Sequence, residues 1–126
     1  MRYLFDGNTV LEQGYESRCK TRLAIFYGSG QRELMTDYSV NLSTGGIFIE
    51  TVNPMPVDTI LFMKFTLPAT GEIISCKTKV AWTNESGEIK SKDLPLGMGL
   101  QFLNVSLDHI HAIRGFINKV GLEPAW

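Results

Sequence analysis

The chain has 126 residues, enough for one domain with one hydrophobic core, and its apolar and charged fractions of 44% and 20% are those of an ordinary globular protein. Lys and Arg total 12 against 13 Asp and Glu, a net charge of -1, which excludes the broad basic excess of a duplex-binding protein and leaves any anion to a few local arginines. No apolar run approaches the ~18 residues of a membrane span, and Asp6, Gly7 and Asn8 interrupt the stretch where a signal peptide would be apolar, so a cytoplasmic protein without membrane insertion is expected.

Residues 1–17 show no clean periodicity and read as a leader of undefined structure. From Arg22 the pattern is that of strands. Leu23, Ile25 and Tyr27 alternate with Ala24 and Phe26, and Gly28-Ser29-Gly30 makes a turn. The next run sets Leu34, Tyr38, Val40 and Leu42 on one face and Ser39, Asn41 and Ser43 on the other, because strand side chains alternate with period two. Gly45-Gly46 ends that run, and Ile47 to Glu50 begins a third strand. Asn53-Pro54-Met55-Pro56 is a loop, since each proline lacks a ladder donor. Ile60 to Leu67 is a strand, and Ala69-Thr70-Gly71 turns the chain again. Ile74, Cys76, Thr78, Val80 and Trp82 mark one face of a long strand, with Lys77 and Lys79 on its exposed face. Asn84 to Leu94 is a polar loop, after which Met98, Leu100 and Phe102 alternate with Gly97, Gly99 and Gln101 in a last strand.

The period then changes. Ser106 suits an N-cap, Asp108 the positive end of a helix, and Lys119 with Gly121 its close. Ile110, Ile113, Ile117 and Val120 follow helical spacing. About six short strands and one amphipathic helix make a mainly β protein, an antiparallel barrel with a C-terminal α-helix packed on it. The domain is expected over residues 18–121, followed by a tail, 122–126.

Two segments carry chemistry. Arg18, Lys20 and Arg22 recur at every second position and point one way if extended, with the arginines about 13 Å apart. A compact ligand held by both would require this segment to curl. The guanidinium fork pairs with phosphate or with the O6/N7 edge of guanine. In Asn41-Leu42-Ser43-Thr44-Gly45-Gly46, Asn41 and Ser43 are expected to face outward, offering an amide oxygen and a hydroxyl. Gly45 and Gly46 permit positive φ and close approach of backbone amides to a ligand.

In this order, these segments resemble the two signature motifs of the PilZ domain family, Arg-x-x-x-Arg and Asp/Asn-x-Ser-x-x-Gly. The likeness continues through Gly46-Ile47-Phe48-Ile49, Val80-Ala81-Trp82 and Gly97-Met98-Gly99-Leu100-Gln101-Phe102, and covers Arg18 to Val120. It implies a six-stranded antiparallel β-barrel of the split-barrel type that binds the second messenger cyclic-di-GMP. Arg18 and Arg22 would contact guanine and phosphate, Asn41 and Ser43 would hold a guanine edge and nearby polar atoms, and Gly46 would leave space beside the ligand. Asn41 stands where the family more often has Asp, supplying one acceptor where a carboxylate supplies two. The resemblance further implies a bacterial signalling role and a downstream protein partner that reads the ligated state. A nucleotide-independent adaptor of the same fold is the alternative. Alanine at either arginine is expected to weaken binding while leaving the melting of the free protein unchanged.

The remaining candidates point elsewhere. Cys19 and Cys76 read as free thiols, Cys19 in a loop among cations. His109 and His111 lie two apart on the helix and face different ways, so no metal site is expected. Trp82 reads as a core or rim residue, and no aromatic platform for single-stranded nucleic acid is evident. No catalytic set or phosphate-binding Gly-rich loop is present, so neither catalysis nor a cofactor is expected.

Overall fold

The computed structural model describes residues 18–30 and 34–120, so the expected leader, Gly121 and the tail lie outside the described residues. In chain order the elements are β1 (Cys19–Lys20), β2 (Ala24–Gly28), β3 (Met35–Leu42), β4 (Gly46–Glu50), β5 (Ile60–Thr66), β6 (Ile73–Asn84), β7 (Gly97–Phe102) and α1 (Leu107–Val120). Six strands close a barrel in the order β3-β2-β5-β6-β7-β4, with β4 pairing back onto β3. Every pairing is antiparallel, so the barrel leaves none of these strands as an unprotected edge.

The short strand β1 is additional to the expected set and lies outside the closed ring. It pairs Cys19 with Leu42 and Lys20 with Asn41, continuing along the edge of β3 that β2 occupies further on. Between them the ladder breaks at Thr21–Leu23. There the buried Ser39 hydroxyl accepts from the Leu23 N–H at 2.9 Å and donates to the Thr21 carbonyl. A side chain thus satisfies backbone groups that the interrupted ladder leaves over.

The core follows the alternation read from the sequence over most of its length. Leu23, Ile25, Tyr27, Leu61, Met63, Phe65, Ile74, Val80, Met98 and Leu100 share one cluster, joined by Ile113, Phe116 and Ile117 of α1. Each fully buried aliphatic side chain contributes roughly 1.5–3 kcal/mol of transfer free energy. The helix starts where expected, the His109 N–H donating to Ser106 Oγ at 3.2 Å, and Asp108 and Lys119 sit at the matching ends of its dipole. Val120, expected on the apolar face, is exposed. Cys19 is 1% exposed within the core cluster and is no loop cysteine.

Two β-bulges depart from strict alternation. One falls between Ser39 and Asn41, so that Val40 is the extra residue; the other falls between Val80 and Trp82, at Ala81. A bulge reverses which parity faces inward. Ser39 therefore turns to the core opposite Ile49, and Tyr38 turns out opposite Glu50, contrary to the expected faces of that run. At the second bulge Val80 keeps its core place opposite Leu100, while Trp82 is carried to the outer face opposite Gly99. The expected placement of Trp82 with Val80 is corrected accordingly.

Candidate functional site

The bulges assemble a row of side chains across the outside of the barrel. Asn41 lies opposite Phe48, Phe48 opposite Gly99, and Gly99 opposite Trp82, so four strands contribute one member each. Cross-strand partners share a face. Phe48 is only 2% exposed yet stands apart from the core cluster, because its ring packs on this outer row. Its centroid is 5.2 Å from that of Trp82 with the rings tilted by 38°. A Cβ at Gly99 would meet Trp82 Nε1 at 2.2 Å, so the missing side chain is what lets the indole lie against β7.

Above this aromatic floor is a cleft of about 580 Å³, bordered by Arg18, Asn41, Gly46, Trp82 and Gln101 among others. That size suits a small-molecule ligand. Among its described lining residues Arg18 carries the one charge, so the cleft favours an anion. Arg18 is fixed by its neighbours: Nε donates to Asn41 Oδ1 at 2.7 Å and Nη1 donates to Ser43 Oγ at 3.2 Å. Asn41 does leave the core side of the sheet as expected, but with Arg18 laid over it the residue is 4% exposed.

Ser43 is fully buried and organises the turn. Its Oγ accepts from the Gly45 and Gly46 N–H groups at 3.1 and 3.2 Å, as well as from Arg18. The expected outward hydroxyl is thus turned onto its own turn, where the Ser43 N–H also donates to the Gly46 carbonyl at 2.9 Å. Neither Gly45 nor Gly46 uses the positive φ that glycine permits. Glycine is needed at 46 for another reason: a Cβ there would stand 2.3 Å from the Leu100 carbonyl oxygen, inside the β4–β7 approach.

Arg22 is not in this cleft. It stacks over the Tyr38 ring, 4.1 Å from the centroid, and lies 3.9 Å from Glu50 Oε1. With Tyr27, Asp37, Thr51 and Val52 these residues border a second concavity of about 590 Å³. Here the Tyr27 hydroxyl donates to Asp37 Oδ2, and burial, reinforced by that carboxylate, holds the phenol well above its ordinary pKa. The structure therefore brings Arg18, Asn41, Ser43 and Gly46 together and sets Arg22 apart, past the break at Thr21–Leu23.

Sequence reasoning missed Phe48, Trp82 and Gly99 as one surface. The glycine alternation 97–99, together with a tryptophan in the preceding strand, was the available signal. It also missed Asn84, read only as the start of a polar loop. Its buried amide donates to the Ser91, Leu94 and Pro95 carbonyls at 3.0, 3.2 and 3.0 Å and accepts from the Lys90 and Ser91 N–H groups at 2.8 and 3.0 Å. This amide shapes the loop that brings Leu94 to the cleft. Among the described residues no group of three or more His, Cys, Asp or Glu could hold a metal, and no helix is long and apolar enough to cross a membrane.

A family model described as PilZ domain matches residues 14–119. Among solved structures the chain is similar to the Bacillus subtilis Inhibitor of motility (MotI/DgrA), with a TM-score of 0.68 at 16% identity, over 87% of this chain and 52% of that one. The chain thus spans about half the length of that protein, and the likeness is one of fold. A comparison with curated proteins finds no match.

Proposed function

This chain belongs to the PilZ domain family, and from that premise we propose that it is a cyclic-di-GMP receptor whose ligated state is read by a partner protein. The observation that supports this most directly is the pairing of Arg18 with Asn41 and Ser43 at the rim of a cleft that carries no described acidic side chain. On this reading Arg18 meets a phosphate or a guanine edge, and Asn41 holds the guanidinium in place while presenting its amide to the ligand. Ser43 acts through the turn, fixing Arg18 and the Gly45–Gly46 amides. Arg22 joins the ligand by leaving Tyr38 and Glu50, which the exposed position of its side chain permits. The role is binding rather than catalysis, and it is exercised in the cytoplasm, where the messenger is made.

Calorimetric titration with cyclic-di-GMP, beside GTP and linear diguanylate, tests the reading. The cyclic dinucleotide is expected to bind in preference to both. Arg18→Ala and Arg22→Ala are each expected to weaken it by more than about 1.5 kcal/mol, roughly tenfold in Kd, as loss of a charged hydrogen bond does. Absence of heat at micromolar protein would overturn the receptor reading and leave an adaptor of the same fold.

A further inference from the structure

We propose that the concavity now covered by Arg22 is a docking site for an arginine-bearing segment of a partner protein, and that the nucleotide exposes it by drawing Arg22 away. The exposing step rests on the cyclic-di-GMP reading above; the docking site does not.

Arg22 shows what the concavity accepts. A guanidinium lies over the Tyr38 ring at 4.1 Å and near the Glu50 carboxylate at 3.9 Å. A planar cation between an aromatic face and a carboxylate is a general recognition mode for arginine, and one that lysine reproduces poorly. Asp37 adds a second carboxylate, held in place by the Tyr27 hydroxyl. With Arg22 present the described lining residues carry one cation against two carboxylates; with Arg22 withdrawn they carry only the carboxylates. Exposed Met35 and Val52, 42% and 77% accessible, border the same concavity and suit apolar residues beside the incoming arginine.

The cover is easily lifted. The Arg22 and Glu50 side chains are 67% and 52% exposed, the setting in which an ion pair contributes little. Stacked on Tyr38, Arg22 borders this concavity and not the cleft of Arg18, so contact with a ligand in that cleft takes it off the ring. A ligand that binds only the withdrawn conformer shifts the population toward an open groove.

The probe is the peptide acetyl-Leu-Arg-Leu-amide, with acetyl-Leu-Gln-Leu-amide as control, followed through the backbone amide resonances of Asp37, Tyr38 and Glu50. Without nucleotide, Arg22→Ala is expected to bind the arginine peptide at least about fivefold more tightly than wild type and to discriminate against the glutamine peptide. The Arg22→Ala/Glu50→Gln double variant is expected to lose that gain. Saturating cyclic-di-GMP is expected to bring wild type to the affinity of Arg22→Ala, and Glu50→Gln alone to bind the nucleotide ~2- to 5-fold more tightly, because Arg22 then has less to leave. Equal binding of the peptide by wild type and Arg22→Ala, or of both peptides by Arg22→Ala, overturns the docking site. Nucleotide that binds wild type without changing its peptide affinity overturns the switch and leaves the receptor reading intact. Absence of nucleotide binding alongside a peptide-competent Arg22→Ala overturns the receptor reading and the switch together, and leaves the docking site standing.

Discussion

Replacing Arg18 by alanine removes two donors at once, Nε at 2.7 Å from Asn41 Oδ1 and Nη1 at 3.2 Å from Ser43 Oγ. The two losses differ in weight. Ser43 keeps the Gly45 and Gly46 N–H groups as donors, so most of the effect falls on Asn41, which is 4% exposed. Removing the arginine also opens the cleft, so water takes up part of the amide's unmet need. The net loss is then about 1–2 kcal/mol, at the lower end for a hydrogen bond to a charged group because water compensates in part. For a domain of this size each kcal/mol shifts Tm by about 4 °C, so the ligand-free variant should melt about 4–8 °C below wild type. Arg22→Ala removes a pair between side chains 67% and 52% exposed, and its loss should stay below about 1 kcal/mol. This replaces the expectation that both arginines are neutral to folding. Calorimetric melting and urea denaturation of the three proteins provide the comparison. An Arg18→Ala variant melting within about 1 °C of wild type, or an Arg22→Ala variant melting lower still, would refute the account of Arg18 as both ligand contact and structural tie.

Three further substitutions or conditions read other parts of the structure. Gly99→Ala sets a Cβ 2.2 Å from Trp82 Nε1, so the indole must move; a loss of about 1–3 kcal/mol and an altered near-ultraviolet dichroism are expected, and an unchanged spectrum would deny that the floor depends on this glycine. Asn84→Asp replaces an NH2 facing three carbonyls with an oxygen; a loss of about 3 kcal/mol or more is expected in urea, and wild-type stability would show that the loop does not hang on this amide. Burial pushes the Cys76 thiol from 9.0 up to about 11, so only the unfolded form loses its proton between these values, and stability should fall as pH rises through that window. Urea midpoints that rise from pH 9 to pH 11 would contradict it, as would rapid native-state labelling by a thiol reagent at pH 8, since Cys19 is buried and the half-buried Cys76 keeps its proton there.

What the sequence revealed depended on how far period two held. Leu23, Ile25 and Tyr27, and Met98 and Leu100, keep strict alternation, and their faces were read correctly. At Tyr38 and Trp82 the same rule failed, because bulges at Val40 and Ala81 lie between each residue and the core position used to phase it. A bulge is set by register against a distant strand, β4 in one case and β7 in the other, and no local pattern announces it. The strand β1 was missed for a related reason: a two-residue ladder on β3 is too short to show a period. The site motifs were legible as Arg18, Asn41, Ser43 and Gly46, since those residue types carry their chemistry openly. Their division of labour was not, because the burial of Ser43 and the diversion of Arg22 to Glu50 arise from tertiary contacts.

The row from Asn41 through Phe48 and Gly99 to Trp82 has a bearing on how the chain matures. Its spatial order is not its chain order: Gly99, the last member made, lies between Phe48 and Trp82. A chain still lacking β7 holds both aromatic residues and both arginines but has no surface on which to set the rings against each other. The floor of the cleft is therefore completed by closure of the β4–β7 seam and not by increments. On the receptor reading proposed above, a nascent or locally opened barrel would not bind, and a nucleotide that binds only the closed form would stabilise the completed fold as well as report its own concentration.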